Sequence, residues 1–233
     1  YSQIGKDKCV LSFFNDDYEG TFLDVGCYLP DKINNTLLLE ENGWRGLSID
    51  IEDYTKEWED RYTPFVCVDA LHCDYQELLD EFGLPNIIDY LSLDIEGDGS
   101  RFIALKRIFK FDIEFKIITI EHDAYRGFIK TEREPQRKLL TSMGYHLVKG
   151  DVYDTDANFP FEDWWINKKF KFGGIYDLPK DDTKSIMFRN IDPVDNLIIY
   201  TLRDKKSGSA KTGKSDWDQM KLLLYHPEFD FDS

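Results

Sequence analysis

The chain predicts an α/β fold: a Rossmann-like, doubly wound, mostly parallel seven-stranded sheet with an antiparallel edge hairpin. Three observations lead there. Short apolar runs alternate with amphipathic helical stretches from residue 20 to about residue 144, the rhythm of βαβ units. The last two strand-like runs follow one another with no helix-length spacer, as a hairpin requires. The runs also end in acidic residues one after another, as strands do when their carboxyl ends share a functional rim.

GTFLDVG (20–26) is an apolar run closed by Asp and Gly, a strand leading into a tight turn. NNTLLLEENG (34–43) supplies an Asn start, a leucine cluster and an Asn-Gly stop, hence a short helix. WRGLSID (44–50) returns to strand, YTKEWEDR (54–61) reads as helix, and FVCVDA (65–70) as strand. YQELLDEFG (75–83) is an amphipathic helix with a glycine terminator, and IIDYLSLDI (87–95) is the fourth strand. SRFIALKRIF (100–109) gathers Phe102, Leu105, Ile108 and Phe109 on one helical face. FKIITIEHD (115–123) is a fifth strand, and PQRKLLTSMG (135–144) a helix with Pro in its first turn and Gly at its end. YHLVKGDVY (145–153) and DWWINK (163–168) complete the sheet.

Beyond about residue 170 the rhythm stops, so two units are expected: a domain at 1–169 and a C-terminal extension at 170–233. The extension holds a flexible Lys/Ser/Gly-rich loop, RDKKSGSAKTGKSD (203–216), followed by one short helix and a tail.

With 233 residues, 42% hydrophobic and 15% aromatic, the chain can bury a sizeable core. A formal charge of −16 argues against nucleic acid and anionic lipid as partners, since both require basic surface. No apolar run reaches the ~18 residues of a membrane span, and no leader is expected. Cys9, Cys27, Cys67 and Cys73 form no CxxC pair, which points to reduced thiols in a cytoplasmic setting rather than to zinc. The chain opens on Tyr1, which leaves room for an upstream partner.

The chemistry concentrates in DYLSLDIEGDG (89–99), where Asp94, Glu96 and Asp98 crowd the end of a buried strand. Clustered carboxylates repel and resist desolvation, so a cation is expected among them. The neighbouring strand ends carry Asp24 and Gly26, Asp50, Asp69, and then Glu121, His122 and Asp123. Asp50 suits the two ribose hydroxyls of an adenosine ligand, with helix capping as the competing role. Asp69 suits an adenine amino group or, equally, a cap. DVGCYLP keeps only Gly26 of a GxGxxG loop, with Tyr28 and Pro30 where further glycines would fall, so a pyrophosphate fits poorly. A cofactor without phosphate remains.

Taken together, YSQIGKDKCV, GTFLDVGCYLP with NNTLLLEENGWRGLSID, DYLSLDIEGDG, ITIEHD and FEDWWIN resemble the FkbM-type methyltransferases, a branch of the class I S-adenosylmethionine-dependent enzymes. The likeness covers about residues 1–168 and is nearest to versions attached to glycan-building enzymes, including those of large algal viruses. Tyr28 and Pro30 depart from it, since the family usually has smaller residues there. The resemblance implies Gly26 beside the methionine moiety with Asp24 next to it, Asp50 and Ile51 at the ribose, Asp69 and Ala70 at the adenine, and Ser2 and Gln3 folded over the cofactor. It further implies a magnesium or manganese ion on Asp94, Glu121 and His122, which would supply the missing positive charge. His122 is the first choice of base, Glu96 the second, with Asp94 at the reacting centre.

The expected activity is thus O-methylation of a sugar hydroxyl, in the cytoplasm (a host's, if the chain is viral) and alongside or fused to glycosyltransferases. Two rivals remain: a nicotinamide-dependent oxidoreductase, disfavoured by the broken glycine loop, and an inactive glycan-binding module. Glu162 and Asp163 before Trp164 and Trp165 could bind sugar, although a tryptophan pair on such a strand is more often core. Asp98 or Ser100 is expected to cap the following helix, and His72, His146 and His226 receive no role.

Overall fold

The computed structural model describes residues 1–153 and 160–172, together with the backbone of three further strands at 184–191, 198–204 and 210–215. Its main sheet contains β1 (Thr21–Val25), β2 (Arg45–Asp50), β3 (Phe65–Cys67), β4 (Ile87–Leu93), β5 (Glu114–Glu121), β6 (Tyr145–Tyr153) and β7 (Pro160–Asn167). These seven strands lie in the order β3-β2-β1-β4-β5-β7-β6. β1 pairs parallel with β2 and β4, β2 with β3, and β4 with β5, whereas β7 runs antiparallel between β5 and β6. The expected parallel sheet with an edge hairpin is what forms.

The helices are α1 (Lys6–Ser12), α2 (Leu37–Glu41), α3 (Tyr75–Glu81), α4 (Ser100–Ile108) and α5 (Glu134–Ser142). A 3-10 turn, Ala124–Arg126, and a π-turn, Ile129–Arg133, precede α5. Because side chains alternate along a strand, each strand feeds two cores. On one face Leu23, Val25, Leu91, Leu93, Ile118 and Ile120 pack with Leu79 of α3, Leu105 of α4 and Leu140 of α5. On the other, Phe22, Tyr90, Ile117 and Trp164 pack with Val10 of α1 and Leu39 of α2. A sheet buried on both faces explains why β1 is buried at every position instead of alternating.

Several elements differ from expectation. Residues 54–61 make turns rather than a helix, because Trp58 is the one large apolar side chain there that is buried, its indole donating to the Tyr28 carbonyl at 2.9 Å. β3 stops at Cys67, short of residue 70. α1 lies in the opening motif, where no helix was expected, and begins after Gly5 at φ 73. β8 (Lys184–Ile191), β9 (Ile198–Asp204) and β10 (Ala210–Ser215) form a three-stranded antiparallel sheet, so part of the stretch read as flexible loop is strand. The helix expected after it lies outside the described residues.

No helix among the described residues is long and apolar enough to cross a membrane. Cys9, Cys27 and Cys73 are buried free thiols, and Cys67 is exposed.

Candidate cofactor cleft and acid cluster

A cleft of about 550 Å³ opens at the carboxyl ends of β1, β2 and β4, where the strand order turns around β1 and β4. Its lining includes Gly26, Tyr28, Ile33, Asp50, Ile51, Asp69, Ala70, Asp94 and Glu96. Seven of the residues expected around a cofactor or acceptor therefore meet here from four strand ends: Gly26, Asp50, Ile51, Asp69, Ala70, Asp94 and Glu96.

Gly26 sits at φ +82, and a Cβ there would lie 2.0 Å from the Asp94 carbonyl oxygen, so only glycine allows these two loops to meet. The next turn is held from below: Asp50 accepts from the backbone N–H of Tyr28 at 2.9 Å and of Glu52 at 3.0 Å. Tyr28 and Ile33 both take positive φ, 53 and 52, which for a β-branched residue is a genuine strain. Asp69 lines the cleft but spends one oxygen on the Leu71 N–H at 2.8 Å and the other on His72 Nδ1 at 2.6 Å. His72, given no role from the sequence, thereby competes with any adenine for that carboxylate.

Other expected residues do not reach the cleft. Asp24 is fully buried, accepts from the Thr36 hydroxyl at 3.1 Å, and is pushed by burial up to about 6. Ser2 donates its N–H and hydroxyl to Asp7, and exposed Gln3 is not part of the lining. Glu96, by contrast, does line the cleft, at its mouth, where it pairs with Arg126 at 2.9 Å. Asp98 accepts from Thr131 rather than capping α4, whose start at Gly99 has no side-chain cap. The first turn of α4 is served instead by Glu132, which accepts from the Arg101 and Phe102 N–H groups at 3.1 and 2.9 Å.

The trio Asp94, Glu121 and His122 is divided by the structure, which corrects the expectation of a shared ion. Glu121 and Asp94 lie within hydrogen-bonding reach of each other, and burial followed by the Asp94 charge pushes Glu121 well above the usual carboxylate range. His122 is fully buried and faces away: its Nδ1 accepts from the Ala124 N–H at 3.2 Å, which leaves the proton on Nε2, 3.4 Å from Asp163 and 3.7 Å from Asp151. Among the described residues, His122, Asp151 and Asp163 are the one set of potential ligands whose atoms converge within 4.8 Å. Arginines already occupy that set. Arg137 grips Asp163 at 2.7 and 2.8 Å and Asp151 at 2.9 Å, and Arg133 holds Asp151 at 2.9 Å. Although burial opposes it, this arginine clamp keeps the Asp163 carboxyl well below its usual range.

The positive charge demanded by the acid cluster comes from two residues that the motif reading missed. Lys6, 3% exposed, places Nζ 2.5 Å from Glu162 and 3.8 Å from Asp94. Arg101, 1% exposed, bonds Glu121 at 3.0 Å and Asp123 at 2.9 Å. A dication on Asp94 would face the Lys6 ammonium at close range, a repulsion on the order of 5 kcal/mol at an effective dielectric of about 20. The residues present therefore do not fit a magnesium or manganese ion at Asp94 and Glu121. The sequence did carry a clue, since basic residues inside apolar patterns are rare unless paired. Trp164 and Trp165 are buried, so they pack the core and offer no sugar platform.

Seven strands in this order, with β7 alone reversed and a cleft at the β1/β4 turnaround, constitute a Rossmann-like, doubly wound fold. No family model and no curated protein matches the chain. Among solved structures, a methyltransferase by assignment from Streptococcus mutans, in complex with SAH, is 10% identical with a TM-score of 0.46, over 71% of this chain and 98% of that one. Another from Thermobifida fusca is 13% identical with a TM-score of 0.45, over 70% and 79%. A sugar N-methyltransferase from a Streptoalloteichus species is 11% identical with a TM-score of 0.32, over 94% and 74%. Likenesses at this level assign no activity; the fold rests on the strand order itself.

Proposed function

We propose that the chain is an S-adenosylmethionine-dependent O-methyltransferase that acts on a hydroxyl of a carbohydrate. The observation that carries this reading is the convergence of Gly26, Asp50 and Asp94, from β1, β2 and β4, on one cleft at the sheet's turnaround. Gly26 leaves room for the methionine moiety, Asp50 offers acceptor sites to ribose hydroxyls, and Ile51, Ala70 and Leu71 give an apolar wall for the adenine. The loop between β1 and α2 lacks the glycines a pyrophosphate would need, which disfavours a dinucleotide.

S-adenosylmethionine, when bound, supplies a methyl group on a sulfonium. The side chain of Asp94, partly open to the cleft, would take the proton of an acceptor hydroxyl positioned beside it, freeing that oxygen to accept the methyl group. His122 is not the base in this reading, because its imidazole is sealed behind β5 against Asp163. A polyhydroxylated acceptor suits the mouth, where Glu96 lines the cleft and pairs with Arg126, which lies over Tyr125, 42% exposed.

Calorimetric titration with S-adenosylhomocysteine and, separately, with NADH tests the cofactor, and binding of the first alone is expected. Mass spectrometry of candidate glycans after incubation with labelled methyl donor tests the acceptor. Label transfer to no hydroxyl-bearing substrate despite tight cofactor binding would remove the carbohydrate assignment.

A further inference from the structure

We infer that Lys6 is the built-in cation of the acid cluster, standing where a divalent ion would otherwise be needed to hold Asp94, Glu121 and Glu162 together. The inference deepens the methyl-transfer reading and rests on it. Three carboxylates from three strand ends meet at this point: Asp94 after β4, Glu121 at the end of β5, and Glu162, which is paired in register with Glu121 across β5 and β7. Glu162 is fully buried, so its charge must be matched inside the protein. Lys6 does so at 2.5 Å while remaining 3.8 Å from Asp94, and Arg101 covers the outer side of Glu121 at 3.0 Å.

The chain aims this lysine deliberately. Ser2 donates twice to the carboxylate of Asp7, at 3.0 and 2.6 Å, which folds the opening residues into a turn. Gly5 then takes φ 73, and Lys6 becomes the first residue of α1 with its side chain directed inward under β4 and β5. Burial alone would lower the Lys6 ammonium, but Glu162 and then Asp94 outweigh it and hold it above the usual lysine range. A hard dication requires several oxygens free of competing cations and a nearly complete shell around it. Here every carboxylate oxygen set facing the centre already has a lysine or arginine partner.

Lys6 is thus a positioning residue: it matches the buried Glu162 charge, faces Asp94 across 3.8 Å at the cleft, and makes a metal unnecessary at this place. Mn²⁺ binding followed by electron paramagnetic resonance, with S-adenosylhomocysteine calorimetry on the same protein in chelator, tests this. The wild-type chain is expected to bind no stoichiometric Mn²⁺, Lys6→Met to gain one bound Mn²⁺, and Lys6→Met/Asp94→Asn to lose it again. Stoichiometric Mn²⁺ on the wild type that Asp94→Asn abolishes would overturn the inference, as would a folded Lys6→Met that binds none. Lys6→Gln, which retains a donor for Glu162, serves the same comparison if Lys6→Met does not fold; if neither folds, the wild-type titration decides by itself. Loss of the methyl-transfer reading would register separately, as absent S-adenosylhomocysteine binding with the Mn²⁺ results unchanged.

Discussion

Asp50 serves the fold first, and under the proposed function it would serve a ligand as well. Its two oxygens pin the Tyr28 and Glu52 amides, and the lone pairs that remain face the cleft. On the proposed cofactor pose, Asp50→Ala would remove charge-assisted bonds to ribose worth about 1.5–3 kcal/mol. The dissociation constant for S-adenosylhomocysteine is expected to rise roughly ten- to hundredfold by calorimetry. Asp24 makes the opposite contribution. Folding raises its pKa from 3.8 to about 6, because burial penalises the carboxylate more than Ser92 and Thr36 relieve it. The native state therefore holds an extra proton between those values, so this stability is complete below pH 3.8 and is lost as pH climbs to 6. Asp24→Asn should flatten that slope in pH-dependent denaturation and stabilise the protein at neutral pH by up to roughly 3 kcal/mol. A slope unchanged in the variant would show that another group titrates there.

Among the elements, α4 depends on a neighbour to begin. Gly99 provides no side-chain cap, and Glu132, fully buried on the π-turn before α5, satisfies the first amides of α4 and opposes the positive end of its dipole. Glu132→Ala is expected to cost about 1–2 kcal/mol in urea unfolding. It should also loosen Arg101, since that residue's own N–H is among the capped groups. The stretch 54–61 teaches the converse lesson. Its composition favours a helix, yet one buried tryptophan hydrogen-bonded to Tyr28 is enough to hold it as turns against a weak local propensity.

The limit of the folding unit is also a packing question. The last strand of the main sheet ends at Asn167, but Phe172 is buried beside Phe13 and Phe14 in the core under α1. A chain ending at residue 172 is expected to retain cooperative thermal unfolding and cofactor binding. One ending at residue 169 loses a buried phenylalanine, which typically costs about 3–5 kcal/mol. Equal melting temperatures for the two chains would show that Phe172 carries no such weight.

Periodicity made the sheet legible. β1, β2, β4 and β5 are continuous apolar runs that can rest only between two helical layers, and the spacer-free pair at 145–167 can only be a hairpin. Because those strands end in acids, the cleft residues Gly26, Asp50, Asp69 and Asp94 followed from chain order alone. Which charges face each other did not follow, because that depends on side-chain direction across elements distant in sequence. His122 and Glu121 are chain neighbours, yet a strand turns adjacent residues to opposite faces, so one meets Asp94 and the other Asp163. Lys6 reaches Glu162 across 156 positions, a separation no local pattern encodes. The succession of strands and helices is written in short-range hydrophobic spacing, whereas the partner of a buried charge is selected only when packing excludes water and leaves each carboxylate the nearest cation.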